Sequence, residues 1–321
     1  MAMREHISGD CSSDFALASN FPFGSPESKE YASLHIIQEL LRASSPVSHS
    51  YVASYFRVYH PSMPLIDYSE FETRAQSVRE VADAADLSWL AQYFVVLGLG
   101  AYATTRDEAA SAKYFYASEA CLSKTSYMSH PTTTNISTLC LMILAKSVAH
   151  ATCWALDTSW NAMGFLVRLA MMMVLHKPWM PEFEEPAIVY ERELRRRLWV
   201  VVVYMDIQMS LITGQQSLLP QDALAITPKA DLPTVLEDCF DSILPRSLSI
   251  IGKFLTRTNS QTNQITYDEA VRYFLSSRTV HSSWAIRAVY RGAFAVSCLI
   301  LVFPRLQPRI DDASPEADYS F

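Results

Sequence analysis

The stretch YERELRRRLWVVVVYMDIQMSLITGQQSLL, from Tyr190 to Leu219, decides the predicted fold of this chain. Its apolar residues recur at steps of three and four, which places them on one face of an α-helix. They are Leu194, Leu198, Val201, Val202, Met205, Met209 and Ile212. Pro186 suits the first turn of a helix and Gly214 suits its end, so we predict one helix over Pro186–Thr213.

Charged residues occupy the first half of this helix. Glu193 lies four residues before Arg197, an orientation that favours an ion pair by about 0.2–0.5 kcal/mol. We interpret Arg195, Arg196 and Arg197 as a solvated or ion-paired face, in preference to a phosphate grip or a nuclear signal. Asp206 lies in the apolar half, where an unpaired carboxylate is costly, so we expect it to pair with an arginine or with backbone donors at a neighbouring helix end.

Two other segments carry distinctive motifs. SYFRVYHPSMPLIDYSEF, over residues 54–71, contains His60 and Pro61, and GFLVRLAMMMVLHKPW covers residues 164–179. With the acidic-RRRLW core of the long helix, these segments resemble, in the same order, the regulatory "middle homology" domain of fungal transcription factors. In that family the domain normally follows a zinc binuclear cluster.

The residues that match the family are spread over about residues 50–233. In the long helix and its end they are Glu193, Arg195, Arg196, Arg197, Trp199, Asp206 and Gly214, and upstream they include His60 and Pro61. The chain departs from the family pattern at Val200, Ile207 and Gln215–Gln216. We expect the matching residues to be structural or regulatory.

Helix-period patterns separated by short proline-containing breaks run along the rest of the chain, without alternating strand patterns. We predict an all-α fold, a single large multi-helix domain built around a long central helical hairpin. The hairpin pairs a helix over Thr158–His176 with the long helix, because the prolines between them exclude helix. Near the N-terminus we predict two separate helices, Ser28–Arg42 and Ser48–Tyr59.

The predicted domain limits follow from composition. Residues 1–27 are rich in Ser, Gly, Asp and Pro and are predicted to be disordered. Residues 28–305 are predicted to form the α-helical domain, which the resemblance implies is regulatory, and residues 306–321 are predicted to form an acidic flexible tail. The apolar runs are interpreted as buried core helices, so no membrane span is predicted.

The net charge and the spacing of the cysteines limit which ligands this chain can bind by itself. The 321 residues carry 26 Lys and Arg against 33 Asp and Glu, a net charge of −7. Such a chain is a poor DNA binder by itself, because nonspecific affinity comes from neutralising phosphates. The six cysteines are scattered without a CxxC pair, so we expect no zinc cluster and no other metal site. The G-x-G-x-x-A match at Gly98 lies in a helical pattern and is interpreted as close helix packing.

The family resemblance implies a transcription regulator in the nucleus that controls a gene set, for example metabolic or secondary-metabolite genes. It implies no catalytic residues and no cofactor. It also implies protein partners or coactivators and a small-molecule effector, with DNA reached indirectly or through an element that the sequence does not reveal. A homodimer is left open. Two alternatives stay open: an all-α enzyme or small-molecule carrier that reuses this fold, and a truncated factor that has lost its DNA-binding cluster.

Overall fold

The computed structural model describes residues 17–18, 20–80, 86–149, 153–177, 186–219, 251–257, 266, 268–269 and 272–273. The chain divides into two compact units, Met1–Met173 (unit 1) and Val174–Phe321 (unit 2), and its helical packing is consistent with the predicted all-α domain. The described residues of both units are helical or irregular and contain no strand. The predicted all-α class is therefore confirmed.

Unit 1 contains a short 3-10 helix at Pro26–Tyr31, followed by longer helices. They are α1 (Leu34–Val58), α2 (Tyr68–Glu80), α3 (Leu87–Thr105), α4 (Glu108–Ser123), α5 (Thr133–Ala149) and α6 (Cys153–Met172). The predicted helical hairpin would pair α6 with the long helix of unit 2, so it spans the two units and stays a prediction.

α3 is the central helix of unit 1 and packs against α1, α4 and α5. Residues 89–101 are all buried, as expected of a helix that is apolar on every side. Its N-terminus is capped by Asp86, whose carboxylate accepts a hydrogen bond from the Ser88 N–H at 3.0 Å. The helix is long and apolar enough to cross a membrane, but 72% of the stretch is buried inside the protein. Burial of this kind is typical of a core helix.

Two glycines inside α3 allow its close packing. A Cβ at Gly98 would lie 2.5 Å from the Phe115 ring of α4, and a Cβ at Gly100 would collide with the Tyr51 carbonyl of α1. Glycine costs about 1 kcal/mol relative to alanine in a helix, so its presence here indicates that contact distance decides these positions. The G-x-G-x-x-A match therefore lies within a core helix, not between a strand and a helix.

α1 is one continuous helix, and the prediction of two separate helices is wrong. Pro46 lies inside it and removes one backbone hydrogen bond. A single apolar face nevertheless continues across the proline, since Ile37, Val52 and Tyr55 are all buried. Packing of this face against α3 outweighs the local cost of the proline.

The segment before the 3-10 helix is packed, which corrects the prediction of disorder through residue 27. Leu17 is 3% exposed and Phe21 is 1% exposed. The average composition of residues 1–27 is rich in serine and glycine, so it did not indicate that these two apolar side chains are buried. We call residues 20–25 the strap. The first 16 residues lie outside the described part of the chain, and so do residues 306–321 of the predicted tail.

Unit 2 is built on α7, which covers Pro186–Thr213 as predicted. α6, in contrast, ends at Met172, four residues before the predicted end, and Val174 has a φ of +59° that a helix does not allow. Residues 251–257 are also helical. Arg257 forms an ion pair with Glu269 at 2.7 Å within the same unit.

Candidate functional site

The arginine motif of α7 is a compact ion cluster. Arg196 donates two hydrogen bonds to the Glu193 carboxylate, from Nε at 2.9 Å and from Nη2 at 2.8 Å. Arg197 Nε donates a third at 3.0 Å, so the predicted Glu193–Arg197 pair is confirmed. Arg195 is half-buried. The sequence analysis did not predict the Glu193–Arg196 pair, although side chains three residues apart also lie next to each other on a helix.

Burial makes this cluster more than a surface ion pair. Glu193 is 3% exposed and Arg196 is 9% exposed. Burial by itself raises the pKa of Glu193, but the hydrogen bonds and charges of Arg196 and Arg197 outweigh it and hold that pKa below its ordinary value. Glu193 therefore stays ionised at neutral pH, and two guanidinium groups are turned toward their own helix.

Trp199 lies where the charged half of α7 meets its apolar half. Its side chain is 3% exposed, and the centroid of the His176 ring lies 6.0 Å from the centroid of its own ring at a tilted angle. The following residues Val200–Val203 are fully buried. Trp199 is thus a packed core residue of unit 2.

Asp206 is completely buried and is bound by the turn that follows its own helix. The Ser217 hydroxyl donates a hydrogen bond to Oδ2 at 2.6 Å, and the Leu218 N–H contacts Oδ2 at 3.3 Å. Gly214 allows this return, because its φ of +67° ends α7 and reverses the chain. Asp206 is therefore paired, as expected, but the predicted partners are wrong: a side-chain hydroxyl and a backbone N–H of the turn after its own helix take the place of an arginine or a neighbouring helix end.

Burial is the main influence on the Asp206 carboxyl. It raises the pKa of Asp206, and the hydrogen bonds from Ser217 and Leu218 oppose it only in part. The aspartate therefore fixes the turn at residues 214–219 to the helix at an electrostatic cost. This arrangement suits a structural lock on the end of α7.

His60 and Pro61 belong to unit 1, whereas the other seven motif residues belong to unit 2. His60 is 4% exposed, and its ring centroid lies 4.8 Å from that of Phe56 and 6.4 Å from that of Tyr55. Pro61 is exposed in the turn after α1. At the C-terminal end of α1, His60 therefore lies on the buried side and Pro61 on the exposed side.

Sequence reasoning missed a second polar cluster, which lies under the strap in unit 1. Lys146 of α5 is 1% exposed, and Glu119 of α4 is 3% exposed. Both side chains hold backbone groups of the strap. A signal was present in the sequence, because Lys146 interrupts an otherwise apolar helix pattern.

The described residues give little support for a metal site or for a reactive thiol. Within them, no three His, Cys, Asp or Glu side chains come close enough to hold a metal ion. Cys121 and Cys140 are buried thiols, and burial raises the pKa of Cys121 to about 12. A thiol that stays protonated at neutral pH is a poor nucleophile and a poor metal ligand.

Residues 52–277, more than half of the chain, match the family of the fungal specific transcription factor domain. The chain belongs to this family. The resemblance recognised in its sequence motifs is thereby confirmed.

Two curated relatives agree with the family assignment. The chain is 24% identical over 200 residues to the lactose regulatory protein LAC9 of Kluyveromyces lactis. It is 26% identical over 242 residues to the transcription factor opdR of Penicillium oxalicum. These matches cover 62% and 68% of this chain but only 22% and 29% of the two relatives. Such relatives are transcription regulators, which are not enzymes. No solved structure matches the chain.

Proposed function

We propose that this chain is the regulatory part of a fungal transcription factor and controls a gene set in the nucleus. The family match over residues 52–277 carries the proposal. One relative is named for lactose regulation, which favours a metabolic gene set for this chain as well. Protein partners or coactivators would contact the helical surface, and a small-molecule effector would set its activity.

Direct DNA contact is not part of the proposal. Arg196 and Arg197 donate hydrogen bonds from their guanidinium groups to Glu193, so the basic motif of α7 is not a free phosphate-binding patch. The net charge of −7 adds repulsion from the DNA backbone. DNA would be reached through a partner protein or through an element outside the regulatory helices.

A reporter experiment tests the proposed function. The full chain is fused to a heterologous DNA-binding domain in a fungal cell that carries the matching reporter gene. We expect reporter transcription to change severalfold relative to the DNA-binding domain alone. A fusion that is present in the nucleus at the same level but leaves the reporter unchanged would contradict the proposal.

A further inference from the structure

The strap is seated on unit 1 mainly through one residue, Phe21. Its ring centroid lies 6.2 Å from that of Phe115 and 6.2 Å from that of Tyr116, both on α4. Phe23 makes a second contact, with its ring centroid 5.1 Å from that of Phe165 on α6. Phe21 is almost fully buried, so its ring fills an aromatic slot in the core.

Two buried side chains of opposite ionisable type, Lys146 and Glu119, bind the backbone of the strap beside this slot, and we call Phe115, Tyr116, Glu119 and Lys146 together the seat. Lys146 Nζ donates a hydrogen bond to the Phe21 carbonyl at 2.6 Å. Glu119 Oε1 accepts hydrogen bonds from the Gly24 N–H at 2.6 Å and the Ser25 N–H at 2.8 Å. The charges also act on each other, since Glu119 counteracts the effect of burial on Lys146.

The seat therefore recognises backbone groups with two ionisable side chains, which is unusual inside a core. Burial raises the pKa of Glu119 and lowers that of Lys146 to about 8, so the core opposes the charged form of each. Burying an ammonium and a carboxylate carries a large desolvation free energy, and hydrogen bonds to neutral amide groups offset only part of it. The Glu119 Oε2 atom has no hydrogen-bond partner in the described part of the chain. A ligand that carries its own charges would satisfy this pair better than the strap does.

Phe21 itself shows which ligand fits. The ring in the slot and the carbonyl on Lys146 belong to one residue, joined through its own Cβ and Cα. The free amino acid keeps that spacing and replaces the carbonyl by a carboxylate, which forms a stronger, charge-assisted hydrogen bond with an ammonium. In the strap the Phe21 N–H donates a hydrogen bond to the Ala18 carbonyl at 3.1 Å, and the free amino acid carries an α-ammonium group in place of this N–H. The zwitterion thus brings a carboxylate to Lys146 and adds a positive charge, opposite in sign to the Glu119 carboxylate.

We propose that the slot formed by Phe115, Tyr116, Glu119 and Lys146 is a binding site for a free aromatic α-amino acid, which competes with the strap. The inference rests on the proposed function, because such a ligand would be the effector of the regulator. Binding releases residues 20–25 from the helical core. The strap lowers the apparent affinity of the site in proportion to its occupancy.

The test uses the full chain and L-phenylalanine as the probe. Hydrogen–deuterium exchange of the Gly24 and Ser25 amides reports strap release, and calorimetry reports binding. We expect saturable binding that speeds exchange in the strap and leaves α3 protected. The analogues 3-phenylpropanoate and 2-phenylethylamine each lack one charge and should bind at least about tenfold more weakly. Equal binding of all three compounds would overturn the charge-matching argument.

Two variants keep the test decisive, and thermal melting confirms that both are folded. Phe21→Ala empties the slot and should raise the apparent affinity for L-phenylalanine about tenfold. Glu119→Gln still accepts the strap N–H groups but loses its charge, so L-phenylalanine should bind it no better than 3-phenylpropanoate. Absence of binding to Phe21→Ala, or unchanged affinities in both variants, would sink the proposal.

These measurements contain no DNA and no reporter, so they can fail separately from the proposed function. If the reporter fusion is active but L-phenylalanine does not bind, the regulator assignment stands and the ligand site is wrong. Binding together with an inactive fusion would keep the site and remove the regulatory role.

Discussion

Asp206 shows how a single residue can lock the end of a long helix. In Asp206→Ala the partly buried Ser217 hydroxyl and Leu218 N–H lose their acceptor, which should cost about 1–3 kcal/mol of unfolding free energy. Asp206→Asn keeps an acceptor oxygen and should cost less. Urea denaturation of both variants measures the difference, and equal losses would show that hydrogen bonding is not the reason for the aspartate.

The same aspartate predicts a pH dependence. Burial raises the pKa of Asp206 above its value in the unfolded chain, so the native state takes up its proton first as the pH falls. The unfolding free energy of the wild type relative to Asp206→Asn should therefore increase as the pH drops through the raised pKa. Denaturation of the two proteins between neutral pH and pH 4 checks this, and a constant difference would contradict it.

Trp199 is predicted to act through packing. Trp199→Ala removes a side chain that is 3% exposed and should cost about 3–5 kcal/mol. Ile212→Ala on the same helix is the matched control, because Ile212 is 51% exposed and should change stability little. Thermal melting is measured beside reporter activity. A Trp199→Ala protein that melts like the wild type yet is inactive would move this residue to a partner or ligand surface.

At the scale of the element, the contact between α1 and α3 depends on one missing side chain. Gly100→Ala places a methyl group against the Tyr51 backbone carbonyl, so the two helices must separate. We expect a loss of about 1–3 kcal/mol, in spite of the better helix propensity of alanine. Gly98→Ala meets the side chain of Phe115, which can shift, and should cost less. Urea midpoints that rank the two variants in the opposite order would refute this packing argument.

Helices could be predicted from the sequence where local and tertiary signals agree. α7 has an apolar stripe, a first-turn proline and a terminal glycine, and its predicted limits are confirmed. α1 could not be predicted, because Pro46 signals a break that long-range packing overrides. The partners of Asp206 and Arg196 were only partly predicted, since a turn geometry and a rotamer are not visible in residue spacing.

At the scale of the whole molecule, the helical period of the apolar residues predicted the class of fold, but composition did not predict the packing of the N-terminal segment. The apolar side chains of Leu17 and Phe21 are too few to change a Ser- and Gly-rich average, yet they are buried. Lys146 and Glu119 lie 27 residues apart in the sequence, and only the packing of α4 and α5 brings both to the strap. A contact of this kind requires the tertiary structure.

The last prediction concerns DNA and belongs to the chain as a whole. With a net charge of −7, the isolated chain should bind duplex DNA no better than nonspecifically, with a Kd of roughly 10⁻⁴–10⁻⁶ M or weaker at physiological salt. Arg196→Ala should leave this binding unchanged, because its guanidinium already serves Glu193.

Fluorescence anisotropy with a labelled duplex, titrated between 50 and 200 mM salt, measures the affinity and its salt slope, where each phosphate contact contributes about −0.9. A shallow slope and equal binding to unrelated sequences are expected. Submicromolar, sequence-selective binding by the isolated chain would show instead that its own residues read DNA, and the indirect route proposed for this regulator would have to be abandoned.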